Sequence, residues 1–314
     1  VTEFEFIDAF TAAFAPPRAP FGPGDDCAVL APTRAVTCVT TDALVEGVHF
    51  TRRTFRFEDV GHKALAANLS DLAAMGATPV WALCALGLPE DVSARDVKAL
   101  ARGMAALARV HGVALVGGNI TRSLQLTVTL TLGGEVPRGR SPLLRSGARA
   151  GDVLYVSGFV GDAAAGLDLL SRRAARVPEA LALAQRRPSP HLAWARAAAP
   201  FGSAAIDVSD GLLQDLGHLA RASGVGVDLE AQALPLSPAL RAAVSSEDAR
   251  RFALTGGEDY VVVIAVPERR VGAFERAMAR QAFDIHRLGR ASAVPGLRVD
   301  GVAAREPLGF QHRR

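Results

Sequence analysis

The chain has 314 residues, a formal net charge of +3 from 35 Lys and Arg against 32 Asp and Glu, and 49% apolar side chains. That length exceeds what a single core usually supports, so two domains are expected. The near-balanced charge excludes a dedicated nucleic-acid face: the arginines are scattered and not interleaved with aromatics, although Arg172-Arg173 and Arg186-Arg187 stand together.

The elements follow in chain order. Residues Glu3–Phe14 read as a short amphipathic helix, broken by Ala15-Pro16-Pro17-Arg18-Ala19-Pro20. Ala35–Thr41 reads as a strand and Phe57–Met75 as a long helix stopped at Gly76. Leu72 to Pro89 carries no charge and approaches the length of a membrane span, but Gly76, Pro79, Gly87 and Pro89 divide it into a helix end and a buried strand, Val80–Leu88. Ser93–His111 is a second helix, opened by the Ser93-x-x-Asp96 capping pattern and closed by Gly112. Val113–Val116 and Leu124–Leu132 are strands, the second placing Leu124, Leu126, Val128, Leu130 and Leu132 on one face. Pro137–Gly151, rich in Gly, Pro, Arg and Ser, is the expected linker. Domains of 1–137 and 138–314 follow from it. Beyond it come strand Val153–Ser157, helix Asp162–Ser171, strand Ala204–Val208, helix Leu212–Ser223, strand Tyr260–Val266 and a helix from Arg269 to Gln281. The fold class is α/β (α+β), two domains with mixed or antiparallel sheets.

Three cysteines, Cys27, Cys38 and Cys84, fit no disulfide framework and no CxxC metal pattern. Buried free thiols in a reducing, cytoplasmic compartment are expected, and the acidic start Thr2-Glu3-Phe4-Glu5-Phe6-Ile7-Asp8 does not read as a secretory signal.

The chemistry is concentrated in seven short segments that set acidic or amide side chains beside glycines, hydroxyls or turns. They are Gly24-Asp25-Asp26, Thr40-Thr41-Asp42, Asn68-Leu69-Ser70-Asp71, Gly117-Gly118-Asn119, Gly161-Asp162, Asp207-Val208-Ser209-Asp210-Gly211 and Gly256-Gly257-Glu258-Asp259. Carboxylates repel one another, so a fold that gathers them needs cations between them. Hard divalent cations on oxygen ligands usually serve phosphate chemistry. The chain has no GxxxxGK(S/T) loop, no His-Arg-Asp or Asp-Phe-Gly motif, no GxGxxG and no HExxH, and its seven histidines are dispersed. P-loop, protein-kinase, dinucleotide and zinc devices are thereby set aside, and Mg²⁺ is favoured over softer metals.

Each segment also has a plainer reading. Gly24-Asp25-Asp26 and Gly256-Gly257-Glu258-Asp259 suit turns. Thr40-Thr41-Asp42, at a strand end, makes a corner for a hard cation. His49 could bind a substrate phosphate or be a hydrogen-bonded, half-buried histidine. Asp71 shares a helix face with Ala64, Asn68 and Met75, and either meets a metal or pairs locally with Lys63. Asp210 or Ser209 can cap the helix that follows, whose free N–H groups also attract anions.

Five blocks resemble one family in particular. They are Phe21–Ala28, Thr41–Phe50, Lys63–Ala77 (Lys-Ala-Leu-Ala-Ala-Asn-Leu-Ser-Asp-Leu-Ala-Ala-Met-Gly-Ala), Ile206–Leu212 and Thr255–Tyr260. Together the chain resembles the thiamine-monophosphate kinase family of the aminoimidazole-ribonucleotide synthetase-like superfamily. The resemblance implies ATP-dependent phosphorylation of thiamine monophosphate to thiamine diphosphate, the last step of thiamine diphosphate biosynthesis. It implies direct in-line transfer with several Mg²⁺ ions, no covalent intermediate and no catalytic side chain as such. It implies a homodimer whose N-terminal sheets join into a barrel, with an N-terminal domain for ATP, metal and dimerisation; the cytoplasmic location and the lack of a nucleic-acid or membrane partner are expected from the cysteines, the charge distribution and the Gly and Pro breaks above. By the same resemblance Asp26, Thr40, Thr41, Asp42, Asp71, Asn119, Asp207 and Asp210 would hold metal. Gly118, Asn119, Arg145 and Ser209 would contact ATP, and His49, Glu258 and Phe310 the thiamine substrate. Two departures stand out. The family usually continues Gly-Gly with Asp-Thr-Thr-Arg-Gly, whereas here Asn119-Ile120-Thr121-Arg122-Ser123 follows, removing one negative charge and weakening that Mg²⁺ site. The family's aromatic-rich end is reduced to Gly309-Phe310-Gln311-His312-Arg313.

Overall fold

The structure, a computed structural model, describes residues 3–14, 33–305 and 308–310. The chain divides into two compact units, one of residues 1–72 and 78–140, the other of residues 73–77 and 141–314.

The first unit holds helix α1 (Glu3–Thr11), strand β1 (Val36–Val45), helix α2 (Phe57–Ala74), strand β2 (Thr78–Leu88), helix α3 (Ala94–His111) and strands β3 (Ala114–Arg122) and β4 (Thr127–Val136). Its sheet runs β1-β4-β2-β3, antiparallel except for the parallel β2–β3 pair. Helix α2 is buried on almost every side, including the polar Lys63, Asn68 and Ser70. Such a helix is a core element, and its polar groups must find partners inside. Two glycines let α3 cross α2 closely: a Cβ on Gly103 would lie 1.9 Å from the Glu58 carbonyl oxygen, and one on Gly61 would lie 2.0 Å from that of Leu100. The expected capping box is present, with Ser93 and Asp96 satisfying each other's backbone N–H groups and Gly112 closing α3 in the left-handed conformation at φ 69°.

One face of this sheet is buried and the other is open. Ala82, Cys84 and Leu86 of β2 and Val128, Leu130 and Leu132 of β4 are buried. On β1 the alternate residues Thr37, Val39, Thr41 and Ala43 are exposed, Val39 at 61%. Two strands depart from the sequence reading. Leu124, expected in line with Leu126, lies outside β4 and is almost fully exposed, whereas Leu126 is fully buried. β3 runs on through Gly117-Gly118-Asn119, because parallel pairing with β2 holds the glycines in the ladder. Cys84 is buried as expected, and desolvation pushes its thiol well above the usual range, but Cys38 is only half-buried. Cys27 lies outside the described residues.

The second unit contains β5 (Val153–Val156), α4 (Asp162–Ser171), α5 (Glu179–Arg186), α6 (Leu192–Ala198), β6 (Ala204–Asp207), α7 (Leu212–Ser223) and β7 (Gly226–Leu229). They are followed by α8 (Pro238–Ala243), α9 (Ser246–Thr255), β8 (Val262–Val266), α10 (Val271–Arg280), β9 (His286–Ser292), β10 (Gly296–Val299) and β11 (Val302–Ala303). The sheet order is β11-β10-β7-β9-β5-β8-β6, antiparallel except for β10–β7. β5 and β8 are buried throughout, as continuous apolar runs should be. The core joins Leu154, Val156, Ile206 and Val263 to Leu212, Leu216 and Leu219 of α7.

His191, at the start of α6, is partly buried with Gly158 against its ring, since a Cβ there would come within 2.8 Å of Cε1. Desolvation pushes its imidazole down to about 4, against a hydrogen bond with the Ser157 backbone that raises it. The unfolded chain, with an ordinary histidine pKa, therefore binds more protons between pH 6.5 and about 4. Stability present above pH 6.5 is lost as pH falls through that window. His191→Gln, which keeps a hydrogen-bonding group but does not titrate, should flatten the dependence in urea unfolding measured from pH 7 to pH 4.

Candidate functional site

The acidic residues form one group in each unit. In the first, β1 alternation puts Thr40, Asp42 and Leu44 on the face toward α2, and Thr41 on the opposite face. The Thr40 hydroxyl donates to Asp71 Oδ2 of α2 at 2.5 Å. Thr41 instead donates to the Leu130 carbonyl at 2.9 Å and lies 3.1 Å from the Thr131 hydroxyl. Asp71 and Asp42 are at least partly solvent-accessible. Asn119 is exposed and sits opposite Ala85 on β2, in the row that includes Thr129 and Ala43, on the same sheet face as Thr41. Thr40, Asp42 and Asp71 are thus brought to one side, and Thr41 and Asn119 to the other. Gly118 pairs with Cys84 so closely that a Cβ would meet its carbonyl oxygen at 1.9 Å. Asp26 lies outside the described residues. His49 is half-buried in the turn after β1, and its Nδ1 accepts the Val45 N–H at 3.1 Å.

In the second unit Asp207 ends β6, and Ser209 and Asp210 form the turn into α7. The turn's N–H groups do not point at solvent. Asp215, in the first turn of α7, accepts the N–H of Ser209, Asp210 and Gly211 at 3.0, 3.0 and 3.1 Å, all on Oδ2. The cap expected from Ser209 or Asp210 is therefore corrected. Gly211 is the N-cap residue and makes no side-chain cap bond, and Asp215, which belongs to none of the seven acidic segments, satisfies these donors from within the helix. Desolvation and the neighbouring Asp210 charge push its carboxyl up to about 7, against the three N–H donors.

Ligand atoms of Asp210, Asp215 and His218 lie within 4.8 Å of one another. The His218 imidazole is shifted down by desolvation and by the charges of Arg221 and Arg145, while Asp210 pulls it up. Arg145 is exposed, and its carbonyl accepts the Ser223 hydroxyl at 2.8 Å.

The Gly256–Asp259 loop is sewn to this turn. Glu258 N–H donates to the Ser209 carbonyl, Tyr260 N–H to that of Val208, and Val208 N–H to that of Val261, each at 2.8 Å. Gly257 permits the approach, since a Cβ would lie 2.5 Å from the Ser209 carbonyl oxygen. Glu258 and Tyr260 take left-handed backbone angles, φ 70° and 52°. Glu258 Oε2 accepts Gln185 Nε2 at 2.7 Å. Asp259 has a different task. Its two oxygens accept the N–H of Gly161 at 2.6 Å and Ala163 at 3.1 Å, capping α4 from another part of the chain, and burial pushes its carboxyl up to about 7. Phe310 joins the group through its backbone. Its N–H donates to the Asp210 carbonyl at 2.8 Å, and Gln214 Nε2 bonds both Asp210 Oδ2 at 3.0 Å and the Phe310 carbonyl at 2.7 Å.

The donors gathered in each unit are carboxylates and a hydroxyl, with one imidazole. That set fits a hard divalent cation better than a thiophilic one. Asp215→Ala should leave three backbone donors without their acceptor. It should lower the unfolding free energy by about 2 kcal/mol or more and speed amide exchange at Ser209, Asp210 and Gly211, as hydrogen-exchange measurement would reveal.

Comparison with known proteins agrees with both units. Residues 24–136 match the family of AIR synthase related proteins, N-terminal domain, and residues 149–302 match the corresponding C-terminal domain. Thiamine-monophosphate kinase of Salmonella typhimurium is 43% identical over 277 residues, 87% of this chain and 84% of that protein. The crystal structure of thiamine-monophosphate kinase from Stenotrophomonas maltophilia superposes with a TM-score of 0.87 at 41% identity, covering 97% of this chain and 98% of that one. The structure of AaThiL complexed with AMPPCP and TMP gives a TM-score of 0.82 at 35% identity over 92% and 91% of the two chains. The chain belongs to the thiamine-monophosphate kinase family.

Proposed function

We infer that this chain transfers the terminal phosphoryl group of ATP to thiamine monophosphate, giving ADP and thiamine diphosphate. The observation that carries the reading is sequence identity of about two in five residues to thiamine-monophosphate kinases, spanning both units. The AaThiL complex, which holds an ATP analogue together with TMP, supports the pairing of substrates.

The chemistry asks little of a general base. A phosphate oxygen of the acceptor is already anionic near neutral pH, so it can attack the γ-phosphorus as the bond to ADP breaks. The barrier lies in bringing two polyanions into line. Thr40, Asp42 and Asp71 in one unit, and Asp207 and Asp210 in the other, would hold Mg²⁺ together with Asp26, whereas Thr41 and Asn119, also expected as ligands, have their side chains on the sheet face opposite Thr40 and would serve a separate site. Bound there, Mg²⁺ supplies neutralisation of phosphate charge. Arg145 would add a fixed cation at the nucleotide phosphates. Gly118 would let the nucleotide approach the backbone, and Ser209 would contact it. His49 would donate to the acceptor phosphate, and Glu258 and Phe310 would take the remainder of the thiamine substrate. The turn N–H groups at 209–211 take no part as a phosphate cradle, because Asp215 already occupies them.

The open face of the first unit's sheet supports a homodimer formed by a second copy of this chain, its sheet closing with this one into a barrel. Val39 and Ala43 would be buried in that contact, and Thr41 and Asn119 would be brought to it. Among the described residues no helix is long and apolar enough to cross a membrane.

A coupled assay with ATP, Mg²⁺ and thiamine monophosphate should show thiamine diphosphate formation, and Asp42→Ala should lower kcat about 100-fold or more. ATP cleavage that ignores thiamine monophosphate would indicate a different acceptor, and binding without turnover that Asn119→Asp restores would indicate a regulatory paralogue. Light scattering should give twice the chain mass, falling to a single chain in Val39→Asp, whose charge would be buried in the barrel.

A further inference from the structure

Lys63 sits in the first half of α2 with 0% of its surface exposed. Its ammonium lies 5.2 Å from the centre of the Phe55 ring and donates to the His49 carbonyl at 3.3 Å. Removing a lysine head group from water is steeply unfavourable, and an apolar side chain of similar length would fill this space without that cost. The position is therefore explained by what the ammonium does, and among the groups it reaches is the backbone of the turn that carries His49.

That turn is fixed from two further directions. The N–H groups of Val48 and His49 donate to the Val45 carbonyl at 3.1 and 3.0 Å, and Gly47 N–H donates to the Phe50 carbonyl at 2.8 Å. Phe50 and Phe55 pack beneath it with ring centres 6.1 Å apart. The His49 ring is oriented as well, because Nδ1 accepts the Val45 N–H at 3.1 Å. A ring nitrogen that accepts a hydrogen bond carries no proton, so the proton of the neutral imidazole is on Nε2. A half-buried imidazole with Nε2–H as its donor is suited to an anionic oxygen, and a buried ammonium under the same turn adds favourable field for that anion.

We propose that Lys63 is a positioning residue for the acceptor: it holds the His49 turn so that Nε2–H is presented to the phosphate of a monophosphate ester. This rests on the reading of His49 as an acceptor contact. The expected signature is selective, since the proposed nucleotide contacts, Gly118, Arg145 and Ser209, lie outside the turn. Its size should be that of one hydrogen bond to a charged group, about tenfold or more in affinity.

The test is a double-mutant cycle on the full chain with ATP and Mg²⁺. Lys63→Met and His49→Ala should each raise KM for thiamine monophosphate about tenfold, with KM for ATP unchanged. The double variant should be no worse than the more affected single one, because Lys63 acts through His49. Lys63→Gln, which keeps a shorter donor, should fall between wild type and Lys63→Met. If His49→Ala leaves the KM for thiamine monophosphate unchanged, the reading of His49 fails. If His49→Ala raises it but Lys63→Met does not, or if the two effects multiply, the positioning role fails. A second measurement requires no change at Lys63. The ¹⁵N spectrum of the wild-type imidazoles, assigned with His49→Gln, should show His49 protonated on Nε2; protonation on Nδ1 would overturn the proposal.

Discussion

Carboxylates gathered in a small volume push one another apart, and the way this chain opposes that repulsion governs the rest of its architecture. Part of the opposition is internal. Asp215 takes three backbone N–H groups on one oxygen, Asp259 takes two, Asp162 takes the Ser237 hydroxyl and Asp71 takes that of Thr40. Hydrogen bonds to an ionised carboxylate are worth roughly twice a neutral one. They fix where each negative charge sits. The two shifted carboxyls show the limit of the device. Burial and neighbouring acids outweigh several N–H donors at both Asp215 and Asp259, bringing each to about 7.

The second unit adds backbone strain to this arrangement. Glu258 and Tyr260 occupy left-handed angles that cost of order 1–3 kcal/mol each for residues with side chains. The alternation of bonds between Val208, Ser209, Glu258, Tyr260 and Val261 continues the β6–β8 ladder past its regular end and holds the strained residues in place. The two acidic loops therefore behave as one object. Asp207, Ser209, Asp210 and Glu258 share a single backbone frame, and the Phe310 backbone is tied to it through Asp210 and Gln214.

How much of this could be read from the residues depended on the length of the signal. The long helices α2 and α3, the buried strands β5 and β8 and the capping box at Ser93 announce themselves by period and by end residues. The strands β7, β10 and β11 have four residues or fewer and no alternation to detect, and their place at one end of the sheet is set by neighbours far away in the chain. Leu124 fits the period-two pattern perfectly and still lies outside the strand, since alternation does not mark where a strand begins. The acidic motifs were legible as a set but not in their separate duties. Asp259 and Glu258 are adjacent in one motif, yet one caps a distant helix and the other bonds Gln185. Asp215 gave one faint signal, a carboxylate in the first turn of a helix whose N-cap is glycine, and such a residue can serve as the missing cap. That Thr41 and Asn119 lie on the sheet face opposite Thr40 follows from strand alternation and pairing register, and only the parity of the first was available in the sequence.

The same use of charge to fix geometry is visible on the first unit's side. A transfer between two anions is limited by alignment and charge, so side chains that orient a donor matter more than side chains that move a proton. His49 is already committed at Nδ1 to a backbone N–H, which removes the freedom an acid–base histidine needs and leaves a directed donor. The buried Lys63 beneath it follows the same logic, because a fully enclosed ammonium can neither reach a substrate nor exchange protons readily with solvent, but it can fix a carbonyl and with it the turn. In both units, then, a buried charge sets the shape of a loop: a carboxylate inside α7 shapes the one that bears Asp210, and an ammonium inside α2 shapes the one that bears His49.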